Sequence, residues 1–335
     1  MPNNIKSFHE IIVERLNEKN LLHLKNQCFV FPTKRGGLFF KRALLKTYGH
    51  KNFMLPGIFS IEEFVEHMTG RSITDELTLL FELYEIYSGQ NKDLAFDTFY
   101  AWGKIILKDF DEIDRYLADA HQIYDSLQNI KEIEHVFGYN DEFREIIARY
   151  RTLTEKQEKT KLLTEFLMIW KQVGAVYDLY KERLMQQEKA YGGMLYRSLA
   201  ELLSQDHFDH SFSHYHFCGF NALSTSEEAI FDALVKGERA SLYWDIDRHL
   251  LNDPAEEAAD FMRKYEAKWP NAIFIDADSL HKNKSITIHG VPQNMAQGVL
   301  AAQQALGYLN DGAAPEETAI VLADEKMLIP LLYLM

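Results

Sequence analysis

A polar turn directly after an apolar run contains the residue types of a phosphate-binding loop. Residues 28–37 read CFVFPTKRGG, and the turn consists of Thr33, Lys34, Arg35, Gly36 and Gly37. In a working loop, G-x-x-x-x-G-K-[ST], backbone N–H groups surround the phosphates, the lysine reaches the β- and γ-phosphates, and the hydroxyl binds Mg²⁺. Here Leu38 and Phe39 follow the glycines. We therefore expect neither ATP nor Mg²⁺ to bind productively.

The second half of a nucleotide site is an acidic pair at the end of a neighbouring strand, which holds Mg²⁺ and positions the attacking water. The candidate strand lies within HYHFCGFN, and it ends in Cys218 and Gly219, with Asn221 shortly after. These residues stand where carboxylates are needed. Both halves lack their reactive groups, so the sequence predicts a silent nucleotide site.

A metal nuclease is the competing catalytic hypothesis. Such sites combine an Asp with a nearby [DE]-x-K on a strand, so that carboxylates hold Mg²⁺ beside a lysine. Asp324, Glu325 and Lys326 supply the triplet at the end of the strand predicted in TAIVLADE, with Asp311 upstream. The triplet is common by chance. A Mg²⁺-dependent nuclease or a divergent ATPase therefore stays as the alternative.

Two further polar clusters have structural interpretations. Four histidines invite a zinc interpretation, but no cysteine lies at a zinc-site spacing, and hydrogen-bonded or solvated side chains are favoured; they are His207, His210, His214 and His216. An acidic run lacks the glycine turn and alternating oxygens of a calcium loop; it consists of Asp109, Asp111, Glu112 and Asp114. We expect this run to form a solvated helix face, or one that meets a neighbouring domain.

Bulk composition limits the classes of function. The 335 residues carry 36 basic and 50 acidic side chains, a net charge of −14. A free-standing nucleic-acid binder is usually basic, so any DNA contact here must be local or assisted by a partner. No apolar run reaches the roughly 20 residues that span a bilayer. The two cysteines, Cys28 and Cys218, lie in apolar runs and are predicted to be buried free thiols in a reducing cytoplasm.

Periodicity predicts the elements that position these residues. Strand and helix signals alternate in residues 1–74 and again from about 204, whereas residues 75–203 show helical spacing almost throughout. Alternation of this kind indicates an α/β fold with a parallel sheet. We therefore predict one α/β domain (1–74 and 204–284) interrupted by a helical insertion (75–203). Residues 285–335 would begin a second α/β domain, truncated at an apolar end that is typical of a fragment.

An ordered set of segments resembles the N-terminal region of AddB-type proteins, which are bacterial helicase–nuclease subunits. The segments include FVFPTKRGGLFFKRAL, LTLLFELYEIY, FYAWGKIILKDFDEIDRYLADA, YGGMLYRSLAELL, HFCGFNALSTSEEAIFDAL, LYWDID and TAIVLADE. They span essentially the whole chain. The resemblance implies a degenerate superfamily 1 helicase region with RecA-like (P-loop NTPase-type) domains. In the family, a PD-(D/E)XK nuclease domain follows, and this chain ends before it.

The resemblance also implies roles for individual residues. FPTKRGG would stand at the Walker A position, Cys218 and Gly219 at the Walker B position, and YWDID would be the next helicase motif, with Asp245 retained. Phe59 and Ser60 resemble a helicase segment that touches single strands. The DNA-binding candidates are Lys34, Arg35, Lys41, Arg42, Phe59 and Ser60.

Three hypotheses for function follow. The preferred one is a non-catalytic helicase-like scaffold that guides DNA and docks an AddA-like helicase subunit in double-strand break repair. The second is an enzyme, either a Mg²⁺-dependent nuclease or a divergent ATPase. The third is a protein-interaction module without DNA contact, which the negative charge favours.

Overall fold

The computed structural model divides into two compact units, Met1–Leu280 and His281–Met335. The described residues are 6–16, 18–90, 94–126, 173–205, 210–276, 285–315 and 318–335. Within these ranges, no helix has both the length and the apolar character that crossing a membrane requires.

A five-stranded, all-parallel sheet forms the centre of the first unit, with strand order β2-β1-β3-β4-β5. The strands are β1 (Gln27–Phe31), β2 (Gly57–Ser60), β3 (His214–Cys218), β4 (Ala240–Ile246) and β5 (Ile273–Asp276). In register, Cys28 lies opposite Gly57 on one side and Tyr215 on the other. Helices cover both faces, which explains why the central strands read as nearly continuous apolar runs. The predicted α/β class with a parallel sheet is confirmed.

The helices form two layers around this sheet. They are α1 (Phe8–Arg15), α2 (Lys34–Tyr48), α3 (Ile61–Thr69), α4 (Glu76–Gln90), α5 (Phe96–Arg115), α6 (Ala120–Ser126), α7 (Val173–Gln186), α8 (Gly192–Leu203), α9 (Thr225–Lys236), α10 (Arg248–Asn252) and α11 (Asp260–Lys268), with 3₁₀ turns at Glu18–Asn26 and Glu257–Ala259. On one face, α1 and α2 pack against Phe29, Phe31 and Cys218. On the other face, α3, α8, α9 and α11 pack against Val30 and Phe217.

Local signals define how the helices begin and end. The Ser60 hydroxyl accepts from the Glu63 N–H at 3.3 Å, the Glu63 carboxylate accepts from the Ser60 N–H at 2.9 Å, and Gly70 ends α3 at φ 68°. In the sequence, Ser60 with Glu63 three residues later predicts a helix cap and Gly70 predicts the helix end, and the structure confirms both. The apolar residues of NFMLP predict a short strand that ends at Pro56, but β2 begins at Gly57. Proline has no N–H for a β-ladder, so the strand starts after it.

Helices α4–α8 contain most of the described residues between 75 and 203, and these residues include no strand. The helical periodicity predicted for them is confirmed; the part that falls on residues 127–172 lies outside the described ranges. Two hydrogen bonds join the segment before α4 to the connection between α7 and α8. The Thr74 N–H donates to the Ala190 carbonyl at 2.9 Å, and the Ala190 N–H donates to Thr74 Oγ1 at 3.2 Å.

The second unit contains helices where strands were expected. It has α12 (Asn294–Asn310), a 3₁₀ turn at Glu325–Met327 and α13 (Leu328–Leu334). The apolar patterns of KSITIHGVP and TAIVLADE predict strands, but none forms among the described residues of this unit. Ile286, Ile288 and Val321 are 77%, 90% and 88% exposed. A strand requires a neighbour to satisfy its backbone, and no described segment of this unit supplies one.

Candidate functional site

The crevice at the carboxyl ends of β1 and β3 is the natural ligand site of this sheet. The chain runs from β1 outward to β2 and then crosses back to β3 on the other side of β1. Open α/β sheets bind ligands where the strand order reverses in this way. Residues Phe31–Thr33 line one side of the crevice, and Cys218–Asn221 line the other.

The connection from β1 to α2 contains only Pro32 and Thr33. Thr33 caps α2: its Oγ1 accepts from the Gly36 N–H at 3.3 Å, and its carbonyl accepts from the Gly37 N–H at 3.4 Å. The predicted five-residue turn at 33–37 is therefore wrong, because Lys34 already opens the helix. A phosphate loop needs free backbone N–H groups that curl around the anion, and here the N–H groups of Gly36 and Gly37 both donate to Thr33.

Close packing accounts for both glycines of this segment. A Cβ on Gly36 would lie 3.1 Å from Phe31 Cβ, and one on Gly37 would lie 2.9 Å from Ile58 Cγ2. Real Cβ atoms require more room than this. Gly36 and Gly37 therefore allow α2 to approach β1 and β2.

Helix α1 fills the crevice with aromatic side chains. The Phe8 ring lies against Gly219, 3.2 Å from where a Cβ would stand. The His9 ring lies 5.6 Å from the Phe31 ring and 6.1 Å from the Phe39 ring, between centroids. Burial lowers the pKa of His9, and an interaction with the Gly36 backbone opposes this. These rings lie in the crevice where open α/β sheets bind their ligands.

At the position of the acidic motif, after β3, the residues take part in packing and in the backbone turn. Cys218 is fully buried, and burial raises the pKa of its thiol. Gly219 has φ 73°, a left-handed conformation that favours glycine, and its N–H donates to the Tyr243 carbonyl at 2.9 Å. Asn221 is exposed in the loop after β3. Asp245 lies on β4, which is separated from β1 by β3.

The DNA-binding candidates fall into two groups. Lys34, Arg35, Lys41 and Arg42 all lie exposed on α2. Lys34 Nζ forms an ion pair with Glu63 at 3.1 Å, and the Arg42 guanidinium lies 5.9 Å from the Phe39 ring centroid.

Phe59 and Ser60 form the second group, and both are engaged within the protein. Phe59 is half-buried and stacks on His67, with ring centroids 5.1 Å apart. Ser60 is buried, and its hydroxyl belongs to the α3 cap. Arg35, Lys41 and Arg42 are therefore the candidates that are open to an outside anion.

The acidic run on α5 is solvated only in part: Glu112 is exposed, but Asp114 faces the interior, which corrects the expectation of a solvated face. Asp114 is fully buried, and its carboxylate accepts hydrogen bonds from the Tyr177 and Tyr191 hydroxyls. Lys181 Nζ lies 3.0 Å and Arg197 Nε 2.6 Å from Asp114 Oδ1. One carboxylate thus joins α5, α7 and α8.

Asp111 and Asp109, on the same helix, are also not simply solvated. Asp111 Oδ1 accepts from the Gly193 N–H at 2.5 Å, which attaches the start of α8 to α5. Burial, and then the charge of Glu112, raises the pKa of Asp109 to about 7. Sequence reasoning missed this cluster. The available signal was four acidic residues beside an uninterrupted apolar helix stripe.

The histidines form no metal site within the described residues. His214 Nε2 lies 2.9 Å from Ser241 Oγ, and His216 Nε2 lies 3.1 Å from Gln27 Oε1. Their predicted role as hydrogen-bonded side chains is confirmed. The His210 ring contacts Tyr215, and His207 lies outside the described ranges.

The nuclease triplet lacks the strand that its chemistry requires. Asp324 caps a 3₁₀ turn, where its carboxylate accepts from the Lys326 N–H at 3.0 Å. Asp311 ends α12. The prediction that Asp324 stands at a strand end is wrong. Both cysteines are buried free thiols, as predicted.

Comparison with known proteins leaves this geometry as the main evidence for function. A scan against protein-family models finds no match, and a search of curated proteins finds none either.

Proposed function

We propose that this chain is a catalytically silent, helicase-like scaffold of the AddB type, built on a RecA-like domain. It guides DNA and docks a partner helicase in double-strand break repair. The observation that carries the silent part is the occupied crevice: a two-residue β1–α2 connection, glycines used for packing, and Phe8 and His9 where a nucleotide would lie. The ordered segments that resemble the family support the scaffold part.

DNA contact in this proposal is local. Arg35 stands in the first turn of α2, at the carboxyl edge of the sheet, with Lys34 beside it. The chain as a whole carries −14, so affinity for DNA should be modest, and it should fall with salt along a shallow slope, because few cations contact phosphates.

Nucleotide binding and hydrolysis test the silent part. We expect no saturable binding of a fluorescent ATP analogue with Mg²⁺ and no hydrolysis, with or without forked DNA. DNA-stimulated hydrolysis that Lys34→Ala abolishes would show the crevice to be a working site.

A protein-interaction module without DNA contact is the second candidate, favoured by the negative charge. Binding to single-stranded and forked DNA at 50 and 200 mM salt separates the two. A negative dependence of log affinity on log salt supports the guiding role, because bound cations release counterions from DNA. Absence of any salt-dependent binding supports the module.

A further inference from the structure

The exposed side of α2 carries a seven-residue repeat. Two Lys-Arg-x-x-Leu segments follow one another: Lys34, Arg35, Leu38 and then Lys41, Arg42, Leu45. All six side chains are exposed, the two leucines by 50% and 46%. Seven residues make almost two helical turns, so the leucines form one row along α2. Helical geometry places the arginines on one side of that row and the lysines on the other.

An apolar row flanked by charged rows at seven-residue spacing is typical of a helix that pairs with another helix. The fold does not require this row. The opposite face of α2 packs on the sheet through buried residues, including Phe40, Leu44 and Tyr48. The outer leucines are additional apolar surface with a defined period.

The charge of α2 indicates the chemistry of its partner. The helix has five basic residues and no acidic one, in a chain of net charge −14. Lys34 and Lys46 form ion pairs with Glu63 and Glu10. Arg35, Lys41 and Arg42 have no acidic partner within the described part of the chain. We infer that this face docks an amphipathic helix of a partner protein, with a leucine-like row flanked by carboxylates.

Apart from Arg35, which the proposed function assigns to DNA at the carboxyl edge of the sheet, this face fits a nucleic acid less well. Its cations span about 18 Å of helix from Lys34 to Lys46, and each of these two end residues is already beside a carboxylate. A nucleic acid longer than this row of cations would bring its phosphates close to the carboxylate of Glu63 or Glu10. A phosphate backbone also offers nothing apolar to Leu38 and Leu45. A two-turn acidic helix satisfies both the cations and the leucines.

This inference rests on the proposed scaffold function and names the chemistry of the partner that is docked. The probe is a labelled 21-residue peptide of three heptads, with leucine in one row and glutamate in the two flanking rows. Matched controls are a peptide of equal composition with the seven-residue spacing broken, and a 20-nucleotide oligothymidine. Binding is measured by fluorescence anisotropy to the full chain and to two double variants, Leu38→Ser/Leu45→Ser and Lys41→Glu/Arg42→Glu. Leu179→Ser, on the exposed side of α7, is the control variant.

We expect the heptad peptide to bind the wild-type chain and Leu179→Ser equally, and each double variant at least tenfold more weakly. A peptide with lysine in place of glutamate should recover binding to Lys41→Glu/Arg42→Glu. Equal binding of the broken-spacing peptide, or no effect of the leucine variant, overturns the inference. Oligothymidine binding that depends on the cations alone would assign the face to nucleic acid instead. ATP binding would refute the silent scaffold without changing these peptide results.

Discussion

The crevice of the sheet and the helical block differ in where they place charged side chains. At the carboxyl ends of β1 and β3, where nucleotide chemistry needs an ammonium and carboxylates, the structure places aromatic rings, glycines and a buried thiol. In the helical block, a fully buried carboxylate contacts two cations and two phenols. The comparison teaches that buried charge alone does not identify a catalytic site in this molecule. Its most charged interior serves to connect helices.

Removal of the Asp114 carboxylate should have the largest effect. Asp114→Ala removes the carboxylate nearest to Lys181 and Arg197 in a mostly buried site, where Arg197 keeps only the more distant Glu201 at 3.9 Å. Removing one partner of a buried pair costs about 3–5 kcal/mol, because the remaining charge stays uncompensated. Urea unfolding followed by circular dichroism measures the loss.

Glu112→Ala is the matched control, because Glu112 is exposed on the same helix. Its effect should stay within about 0.5 kcal/mol. Equal losses for the two variants would contradict a structural role for the buried cluster.

His216 should make the sheet sensitive to acid. Burial, and then the charge of His214, lowers its pKa to about 3, whereas an unfolded histidine titrates near 6.5. Below pH 6.5 the unfolded chain therefore binds a proton that the folded chain does not, and stability falls as pH falls. His216→Phe removes this proton and keeps the stacking on Phe29. Relative to wild type, the variant should gain roughly 2 kcal/mol between pH 7 and pH 5.

Urea midpoints at the two pH values measure this gain. The control is His50→Gln, which replaces an exposed histidine outside the sheet. A His216→Phe profile parallel to wild type would mean that His216 is protonated in the folded state.

Gly37→Ala distinguishes packing from phosphate binding. The new Cβ would lie 2.9 Å from Ile58 Cγ2 on β2, so the helix or the strand must shift. We expect a loss of about 1–3 kcal/mol in unfolding free energy. Gly89→Ala on α4 meets nothing within 4 Å and should be neutral or stabilising by up to about 0.5 kcal/mol. Gly37→Ala with unchanged stability would leave the glycine open to a ligand role.

Phe8→Ala should have the smallest effect and bears most directly on the crevice. Phe8 is half-buried, so its truncation should cost roughly 1–2 kcal/mol. No ATP binding should appear, because the ammonium and the acidic pair are still missing. Titration with a fluorescent ATP analogue and Mg²⁺ tests this. Saturable binding to Phe8→Ala that Lys34→Ala removes would make α1 a cover over a functional site.

Local features of the fold were predictable from sequence. Ser60 with Glu63, and Gly70 at the end of α3, act within a few residues of one another. The strands β1, β3 and β4 have apolar runs long enough to recognise. The short β5 was missed, because four residues, IFID, carry little periodic signal.

The candidate site could not be predicted in the same way, because its contacts join residues that are far apart in the sequence. Thr33 is a good helix cap, but only the packing on Phe31 and Ile58 shows why two glycines follow it. Asp114 and its cations Lys181 and Arg197 lie far apart in sequence, so no local pattern joins them. The strand-like runs of the second unit failed as predictions because a strand depends on neighbours elsewhere in the chain.

The central position of β1 has a consequence for synthesis of the chain. β1 pairs on one side with β2, close behind it, and on the other with β3; Gln27 and His216, which hydrogen-bond across that second pair, are 189 positions apart. At about 5–20 residues per second, translation needs roughly 10–40 s to supply the second neighbour. During that interval one side of β1 has unpaired backbone N–H and C=O groups. These groups can pair with other nascent chains. Production of this protein should therefore depend on chaperone capacity and improve at low temperature.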